Sequence, residues 1–552
     1  MRKSLVILLI VVMMLTYVTG CAPKEQATPT PGGNNEQTTL APSGNTATTP
    51  LPSDGGASVK YAEEIIWGTH IDQAAICPHN NNAGDVVVGN VYSGLVQFDG
   101  NMNIVPDLAT EWSVAEDGCT WTFKVRSGVK FHNGKTMTLD DVYATFSRIV
   151  DKENPVRVTT SMSYLKEFYI EDEETFVIVT HTPVGAFLSE MAAKRGGILD
   201  KEYIEKYGSD LGYTTESING TGPYKVVTYK LQEELVFEAH DDYYGGAPIT
   251  KRIVMPLITE SNARSVAIET GQVDMVSNVV AEDIGRLDSL PNLVAVLAES
   301  NGCHLFQFNC HTLPDPKVRQ AICYAIDKES LVAALFAPLQ EEPMRNIMAP
   351  SILGWADLGV YPYDPERAKE LLSEAGFPGG FEIKLMTTNI YNRGVEMAEV
   401  IKEDLAKVGI IATIQEIDRA TFNASLGGNT REEYMSLYGY DMYVMGSGGS
   451  SDPDTLLKRI WKTDANGTNV NNYGFYSNPT ADALFDKAAT MVDPVERAKV
   501  YREISQILYY DDPVGVFLNL RKNVYILKDT IEGYAPNSNN RTDWTKLVMR
   551  VN

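Results

Sequence analysis

The clearest hydrophobic periodicity in the chain lies in its C-terminal half. Asp315-Pro316 opens PDPKVRQAICYAI, in which Val318, Ala321, Ile322, Ala325 and Ile326 recur at helical spacing on one face. Asp364-Pro365 opens DPERAKELLSEAG, with Ala368, Leu371, Leu372 and Ala375 on one face and Gly376 as the stop. Asp493-Pro494 opens DPVERAKVYREISQIL, with Val495, Ala498, Tyr501, Ile504 and Leu508. In each, the aspartate can accept from the free N–H groups of the first turn. Proline fills the first helical position, where it has no hydrogen bond to lose. Short apolar runs alternate with these helices. FEIKLMT (Phe381 to Thr387) predicts a strand, a helix through Met397, Ile401 and Leu405 stops at Gly409, and IIATIQEI (Ile410 to Ile417) predicts the next strand. That βαβ rhythm implies a sheet covered by helices.

The N-terminal half alternates with period two. EEIIWGT, VVVGNVYSGLVQFDGN and TWTFKVRSGVKFHNG read as strands with Gly and Asn turns, GTGPYKVVTYK and LVFEAH as further strands, and LKEFYIEDEETFVIVTH as a hairpin. There is no internal repeat.

The first residues follow a different grammar. MRKSLVILLIVVMMLTYVTGC has Arg2 and Lys3, then an apolar run from Leu5 that is shorter than the roughly 17–25 residues a membrane span takes. This is the order of a secretory signal. Its end, Val18-Thr19-Gly20-Cys21, resembles a bacterial lipobox, which implies a diacylglyceryl group on Cys21 and a signal peptide over 1–20. The alternative is an ordinary signal with an incidental cysteine. Residues 21–58 are rich in Pro, Thr, Gly, Asn and Ala and cannot bury enough surface to offset their ordering entropy, so they read as a disordered tether. A flexible chain of that length spans roughly 35 Å r.m.s.. The body from Val59 onwards is too long for one core, so two or three domains are expected. The net charge of −25 argues against a nucleic-acid partner.

Cys77, Cys119, Cys303, Cys310 and Cys323 are scattered and odd in number. One disulfide among them is possible, but free buried thiols fit better. Metal-ligand spacing is absent, and so is any nucleophile elbow, HExxH, Walker loop or dinucleotide fingerprint, which argues against an enzyme and against a bound cofactor.

The stretch VMGSGGSSDPDTLLKRIW (Val444 to Trp461) joins a Gly/Ser loop to an Asp-Pro helix opening. It admits three readings: a phosphate cradle, a ligand anchor or a plain helix cap. No Lys or Arg precedes Lys458, which disfavours a cradle. Asp452-Pro453 repeats the capping grammar seen three times elsewhere, with Leu456, Leu457, Ile460 and Trp461 as the apolar face.

One long run, VPDLATEWSVAEDGCTWTFKVRSGVKFHNGKTMTLDDV (Val105 to Val142), resembles the signature of the extracellular solute-binding proteins, family 5. The likeness continues in order through NVYSGLVQFDGN, NGTGPYKVVTYK, DDYYGGAPITKRIV, SVAIETGQVDMV, PKVRQAICYAIDKESLV, DPERAKELLSEAGFPGGF, IKEDLAKVGIIATIQEID and DPVERAKVYREISQIL. It implies an α/β, three-domain, two-lobed fold of the periplasmic-binding-protein type (type II, cluster C). Domain I would comprise 59–100, 219–309 and 516–552, domain II 101–218 and domain III 310–515, with the ligand cleft between domains I and III. It further implies a monomeric ABC-importer receptor on the outer face of the plasma membrane. The receptor would bind an oligopeptide or other small solute, contact the permease and hold to the membrane through the lipid on Cys21. Trp112, Trp121, Phe123, Gly128, Phe131 and Gly134 would hold domain structure, and Gly220 to Tyr224 would be a turn into a strand.

In this family the loop matching Val444 to Trp461 faces the cleft, and peptide-binding members place there a Trp and an Asp that pairs with the ligand's amino group. Dipeptide-binding members add an Arg after the strand matching Phe381 to Thr387. Here the first loop reads Gly446-Ser447-Gly448-Gly449-Ser450-Ser451, and the second position falls at about Thr388, in MTTNIYNRG. The expected ligand-binding residues are therefore Thr388, Asn389, Arg393, Ser447, Gly448, Ser450 and Asp452. The departures argue against a zwitterion held at both ends, because a buried charged terminus without its partner costs several kcal/mol. They suit a longer peptide or a neutral polyol. An oligosaccharide is the alternative ligand, with Trp67, Trp355, Tyr391, Tyr440 and Tyr443 as possible platforms. A nickel chelate on His70, His79, His304 or His311 is a further one.

Overall fold

All three Asp-Pro openings form the helices that their periodicity requires. The structure, a computed structural model, describes residues 59–79, 85–156, 158–159, 162–418, 420–422, 439–463 and 472–551. The expected signal peptide, the tether and Cys21 lie outside these residues. Helix Pro316–Ala325 is capped by Asp315, which accepts from the Lys317 N–H at 2.8 Å, and Pro365–Glu374 by Asp364, which accepts from Arg367 at 2.9 Å. Pro494–Gln506 is capped by Asp493, which accepts from Val495 and Glu496. The βαβ unit is also as read. Strands Glu382–Thr387 and Ile411–Glu416 pair in parallel, and the intervening helix Gly394–Ala406 buries Met397, Ile401 and Leu405.

These elements belong to an eleven-stranded mixed sheet. Its order runs Ile411–Glu416, Glu382–Thr387, Met442–Ser447, Leu293–Phe308, Gly515–Lys528, Met275–Ser277, Glu64–Gly68, Arg252–Pro256, Glu234–Ala239 and Tyr224–Lys230, with Glu342–Pro343 pairing alongside Gly515–Lys528. Leu293–Phe308 and Gly515–Lys528 are long antiparallel neighbours in the middle. Successive side chains on a strand take opposite faces. Accordingly Val524 and Ile526 join one core cluster, around the Asp-Pro helices, while Tyr525 and Leu527 join a second, around Trp67, Tyr224 and Trp544.

A separate four-stranded antiparallel sheet orders Ala109–Val114, Thr120–Val125, Thr175–Thr180 and Leu165–Ile170, and the last two are the hairpin read from the sequence. A third core cluster forms on this sheet and the helix Leu139–Val150, and it holds Trp121, Phe123, Phe131, Phe146 and Phe176. Trp112 packs against it half-buried, and Gly128 and Gly134 sit in left-handed turns, so these motif residues are architectural.

One expectation is corrected. The run at Val86 reads as a strand, but Asp85–Val91 is a short helix, and Val96–Phe98 is the only strand within VVVGNVYSGLVQFDGN. β-branched residues favour strands only while local preference decides. Here Val86, Val87, Val88 and Val91 are all buried. Asn90 donates to Val86 O at 2.7 Å and to Thr542 O at 2.9 Å, and accepts from the Trp544 N–H. Contacts with a segment so distant in sequence override the local preference. Cys119, Cys303, Cys310 and Cys323 are free thiols. Among the described residues no helix is long and apolar enough to cross a membrane.

Candidate functional site

The two long strands fall out of register at their midpoint. Glu299 pairs with Lys522 and Cys303 with Leu520, so Ser300, Asn301 and Gly302 stand opposite the single residue Arg521. Extra residues in one strand leave the ladder and re-aim their neighbours. Here they open a cavity of about 330 Å³, lined by 300–302, 446–449 and 538–540 together with Tyr391, Arg521 and Asn523.

Asn301 fixes the mouth of this cavity. Its side-chain amide donates to Ser450 O at 2.9 Å and to Asn539 Oδ1 at 2.6 Å, and its own Oδ1 accepts from the Gly449 N–H at 3.2 Å. Its backbone N–H donates to Ser538 O, and the Asn539 side chain donates to Ser451 Oγ. The Gly/Ser loop is thereby tied to the Asn-rich C-terminal loop through one buried amide. Two glycines make the approach possible. A Cβ at Gly446 would stand 2.9 Å from Tyr391 Cε1, so only glycine lets that ring lie against the strand. Gly448, at φ 145°, brings its backbone close enough that a Cβ would meet Gly302 Cα at 2.6 Å.

Past the loop the chain turns into a helix whose first full turn, Asp454–Lys458, is π-helical, followed by Arg459–Trp461. Asp452 accepts from the Asp454 N–H at 2.9 Å, which is the capping role expected of it. Its two oxygens also accept from Arg497 at 2.6 and 2.7 Å. Leu456, Leu457, Ile460 and Trp461 are buried, as their spacing requires.

The expected ligand residues thus separate by position. Ser447 and Gly448 line the cavity. Ser450 backs it: its carbonyl holds Asn301 and its hydroxyl accepts from the Asp452 N–H. Asp452 is buried, and its carboxylate is committed to Arg497 instead of the cavity. Thr388 is fully buried and its hydroxyl accepts from the Ile390 N–H, while Asn389 is exposed outside the lining. Arg393 sits at φ 56° and pairs with Glu282 at 2.6 Å, so its guanidinium faces an acid on another segment. Of the possible platforms, Tyr391 faces the cavity. Trp67 lines a small adjoining space of about 30 Å³ that shares Asn523 and Asn540. Tyr440 and Tyr443 are buried and Trp355 packs against the main core.

The histidines named for metal do not converge, and among the described residues no group of three or more His, Cys, Asp or Glu could hold a metal ion. His304 Nδ1 donates to Asn519 Oδ1, 3.2 Å away, and burial pushes its pKa down to about 3. His70 contacts Ser277 Oγ and the Asn278 amide, and burial, with Arg264 nearby, lowers it to about 4. Both rings are neutral at physiological pH.

Sequence reading missed Arg521, Asn523 and the 538–540 loop. The one available signal was the Asn-rich run PNSNNR (Pro536 to Arg541), which nothing nearby in sequence connects to the Gly/Ser loop.

Residues 103–468 match the family described as Bacterial extracellular solute-binding proteins, family 5 Middle. The chain is 28% identical over 458 residues to the glutathione-binding protein GsiB of Salmonella typhi, covering 82% of this chain and 88% of that one. It is 28% identical over 451 residues to heme-binding protein A of Haemophilus influenzae, covering 77% and 80%. Among solved structures it is similar to the periplasmic binding protein DppA of Helicobacter pylori in complex with peptide STSA. That match has a TM-score of 0.70 at 25% identity and covers 89% of this chain and 99% of that one. The sheet built on two long central strands is that of the two-lobed binding proteins, and with two thirds of its length matching the family the chain belongs to the bacterial extracellular solute-binding proteins, family 5.

Proposed function

We propose that the chain is the lipid-anchored receptor of an ABC importer, capturing a short oligopeptide in the cavity opposite Arg521 and delivering it to the permease. It is a binding protein and not an enzyme, as its family is. The observation that carries the reading is the cavity wall. Ser447 Oγ and Ser538 Oγ are buried and have no hydrogen-bond partner among the described residues. Buried polar groups are nearly always paired, so these hydroxyls are left for a solute or water. Gly302, Gly446, Gly448 and Gly449 bare the backbone beside them, which suits an extended peptide main chain. Ser447 and Gly448 are the proposed contacts among the residues expected from sequence; Thr388, Asn389, Arg393, Ser450 and Asp452 shape the loops around them.

A volume of about 330 Å³ is at the small end of the roughly 300–1,000 Å³ typical of such sites, so a short ligand is favoured. Relatives named for glutathione and a similar structure holding a four-residue peptide support that size class. In this reading 59–100, 219–309 and 516–552 form domain I, 101–218 domain II and 310–515 domain III. The lobes close as rigid bodies about the two long strands. The lipid on Cys21 and the 21–58 tether keep a monomeric receptor beside its permease. Loss of membrane association on Cys21→Ala tests the anchor.

The ligand itself is tested by mild denaturation of freshly purified protein and mass spectrometry of what is released. Short peptides uphold the reading. Hexose-spaced masses would replace it with the oligosaccharide reading, which the Tyr391 ring among Ser and Asn side chains favours.

A further inference from the structure

Arg521 is the one charged side chain among the described residues of the cavity wall. The bulge puts it there: with three residues opposite it, its neighbours in the ladder are drawn away and its stem passes Gly302, where a Cβ would lie 3.7 Å from Arg521 Cδ. Among the described residues it makes no ion pair. Glu341 is within electrostatic reach of it, but its two oxygens accept from the Asn519 side chain and from the Lys522 N–H. The other charges near the loop cancel one another, Asp452 with Arg497 and Arg393 with Glu282.

We propose that this site selects solutes that carry a carboxylate and no neighbouring ammonium group, with Arg521 as the clamp for the anion in a wall that is otherwise uncharged among the described residues. A guanidinium offers a planar fork that matches a carboxylate, and such charge-assisted bonds are stronger than neutral ones. An ammonium group entering the same cavity meets no acid among the described lining residues and is repelled by Arg521, so its desolvation goes uncompensated. A blocked or pyroglutamyl peptide and a sugar acid both present this chemistry. The inference rests on the assignment of the cavity as the solute site.

The test measures binding of a random tripeptide pool in four end-forms (free, N-acetylated, C-amidated and doubly blocked), with D-glucuronic acid and D-glucose alongside, to the full chain and to Arg521→Gln and Arg521→Lys. Amidation is expected to weaken wild-type binding on the order of 10- to 100-fold while N-acetylation does not weaken it. Arg521→Gln should remove the acid-over-amide preference, and Arg521→Lys should keep part of it. Amides binding as tightly as acids, or acetylation abolishing binding, would overturn the clamp and leave the peptide reading standing. Glucuronic acid binding in an Arg521-dependent manner, with every peptide form failing, would uphold the clamp and overturn the peptide reading. Binding of none of these probes would overturn both.

Discussion

Arg497 holds both oxygens of Asp452, at 2.6 and 2.7 Å, with the two side chains 1% and 2% exposed. The pair lies directly behind the Gly/Ser loop. It joins the start of the π-helical turn to the helix Pro494–Gln506, where Tyr501 also donates to Asp454 Oδ1 at 3.0 Å. Asp452, which the sequence offers both as a helix cap and as a ligand anchor, accepts from the Asp454 N–H and pairs with Arg497 next to the loop that carries Ser447 and Gly448.

Asp452→Ala leaves the Arg497 guanidinium buried and unpaired, which should lower stability by about 3–5 kcal/mol in urea unfolding. Replacing both partners, Asp452→Leu with Arg497→Met, should restore much of that loss, because two apolar groups leave no orphaned charge. Unchanged stability in Asp452→Ala with a selective loss of ligand affinity would return the residue to the cleft.

Ser447→Ala removes a hydroxyl that has no hydrogen-bond partner among the described residues. The stability of ligand-free protein should stay within about 0.5 kcal/mol, as for other substitutions that break no contact. Affinity for the released ligand should fall by the worth of one neutral hydrogen bond, about 0.5–1.5 kcal/mol. Titration calorimetry beside thermal unfolding separates the two.

Gly446→Ala would set a Cβ 2.9 Å from Tyr391 Cε1 and push the ring off the strand. Affinity should fall, and the same substitution in a Tyr391→Ala background should cost much less. Additive losses in that double-mutant cycle would show that the ring and the glycine do not act together.

Lys328 is buried, donating to Tyr509 OH at 3.2 Å, with its ammonium 5.2 and 5.1 Å from the Tyr361 and Tyr509 ring centroids. No carboxylate is paired with it among the described residues, and burial lowers its pKa to about 7. Because the folded value lies below the unfolded one, the unfolded chain holds one more proton between about pH 7 and 10.5. Stability contributed at this site therefore rises with pH through that window. The difference in unfolding free energy between wild type and Lys328→Met should shift toward wild type from pH 7.5 to 9.5. A flat difference would mean the lysine is neutral or charged in both states.

His79, His132 and His304 have pKa values near 3, each lowered first by burial. His132 and His240 share one acceptor, the Gly222 carbonyl, at 3.0 and 3.2 Å, and His132 Nδ1 accepts from the Gly220 N–H at 3.2 Å. The sign is the same as for Lys328, in a lower pH window. Between about pH 6.5 and 3 the unfolded chain takes up protons that the folded chain refuses, so stability falls as pH falls. His132→Asn should make the slope between pH 6 and 4.5 shallower by about 1.4 kcal/mol per pH unit, one proton's worth. An unchanged slope would show that the ring is protonated in the folded protein.

Much of the fold is legible in the residues themselves. Asp-Pro openings with apolar residues three and four apart specify the helices at Pro316, Pro365 and Pro494, because capping and amphipathicity are local. Period-two runs likewise specify Thr120–Val125, Thr175–Thr180 and the parallel pair at Glu382 and Ile411. The order of family motifs along the chain identifies the receptor class without coordinates. What the tertiary structure alone decided is where local preference meets distant contact. Val86 to Val91 became helix because Asn90 is held by residues near Thr542. Asp452 pairs with Arg497 and Arg393 with Glu282, partners that lie far from them in sequence. The cavity itself comes from a register mismatch between strands more than two hundred residues apart, which sets Arg521 opposite Ser300, Asn301 and Gly302 and brings Asn539 to Asn301. Neither strand carries that mismatch alone. Register is a property of pairing, so it is written in the relation between two distant segments and becomes visible only once they meet.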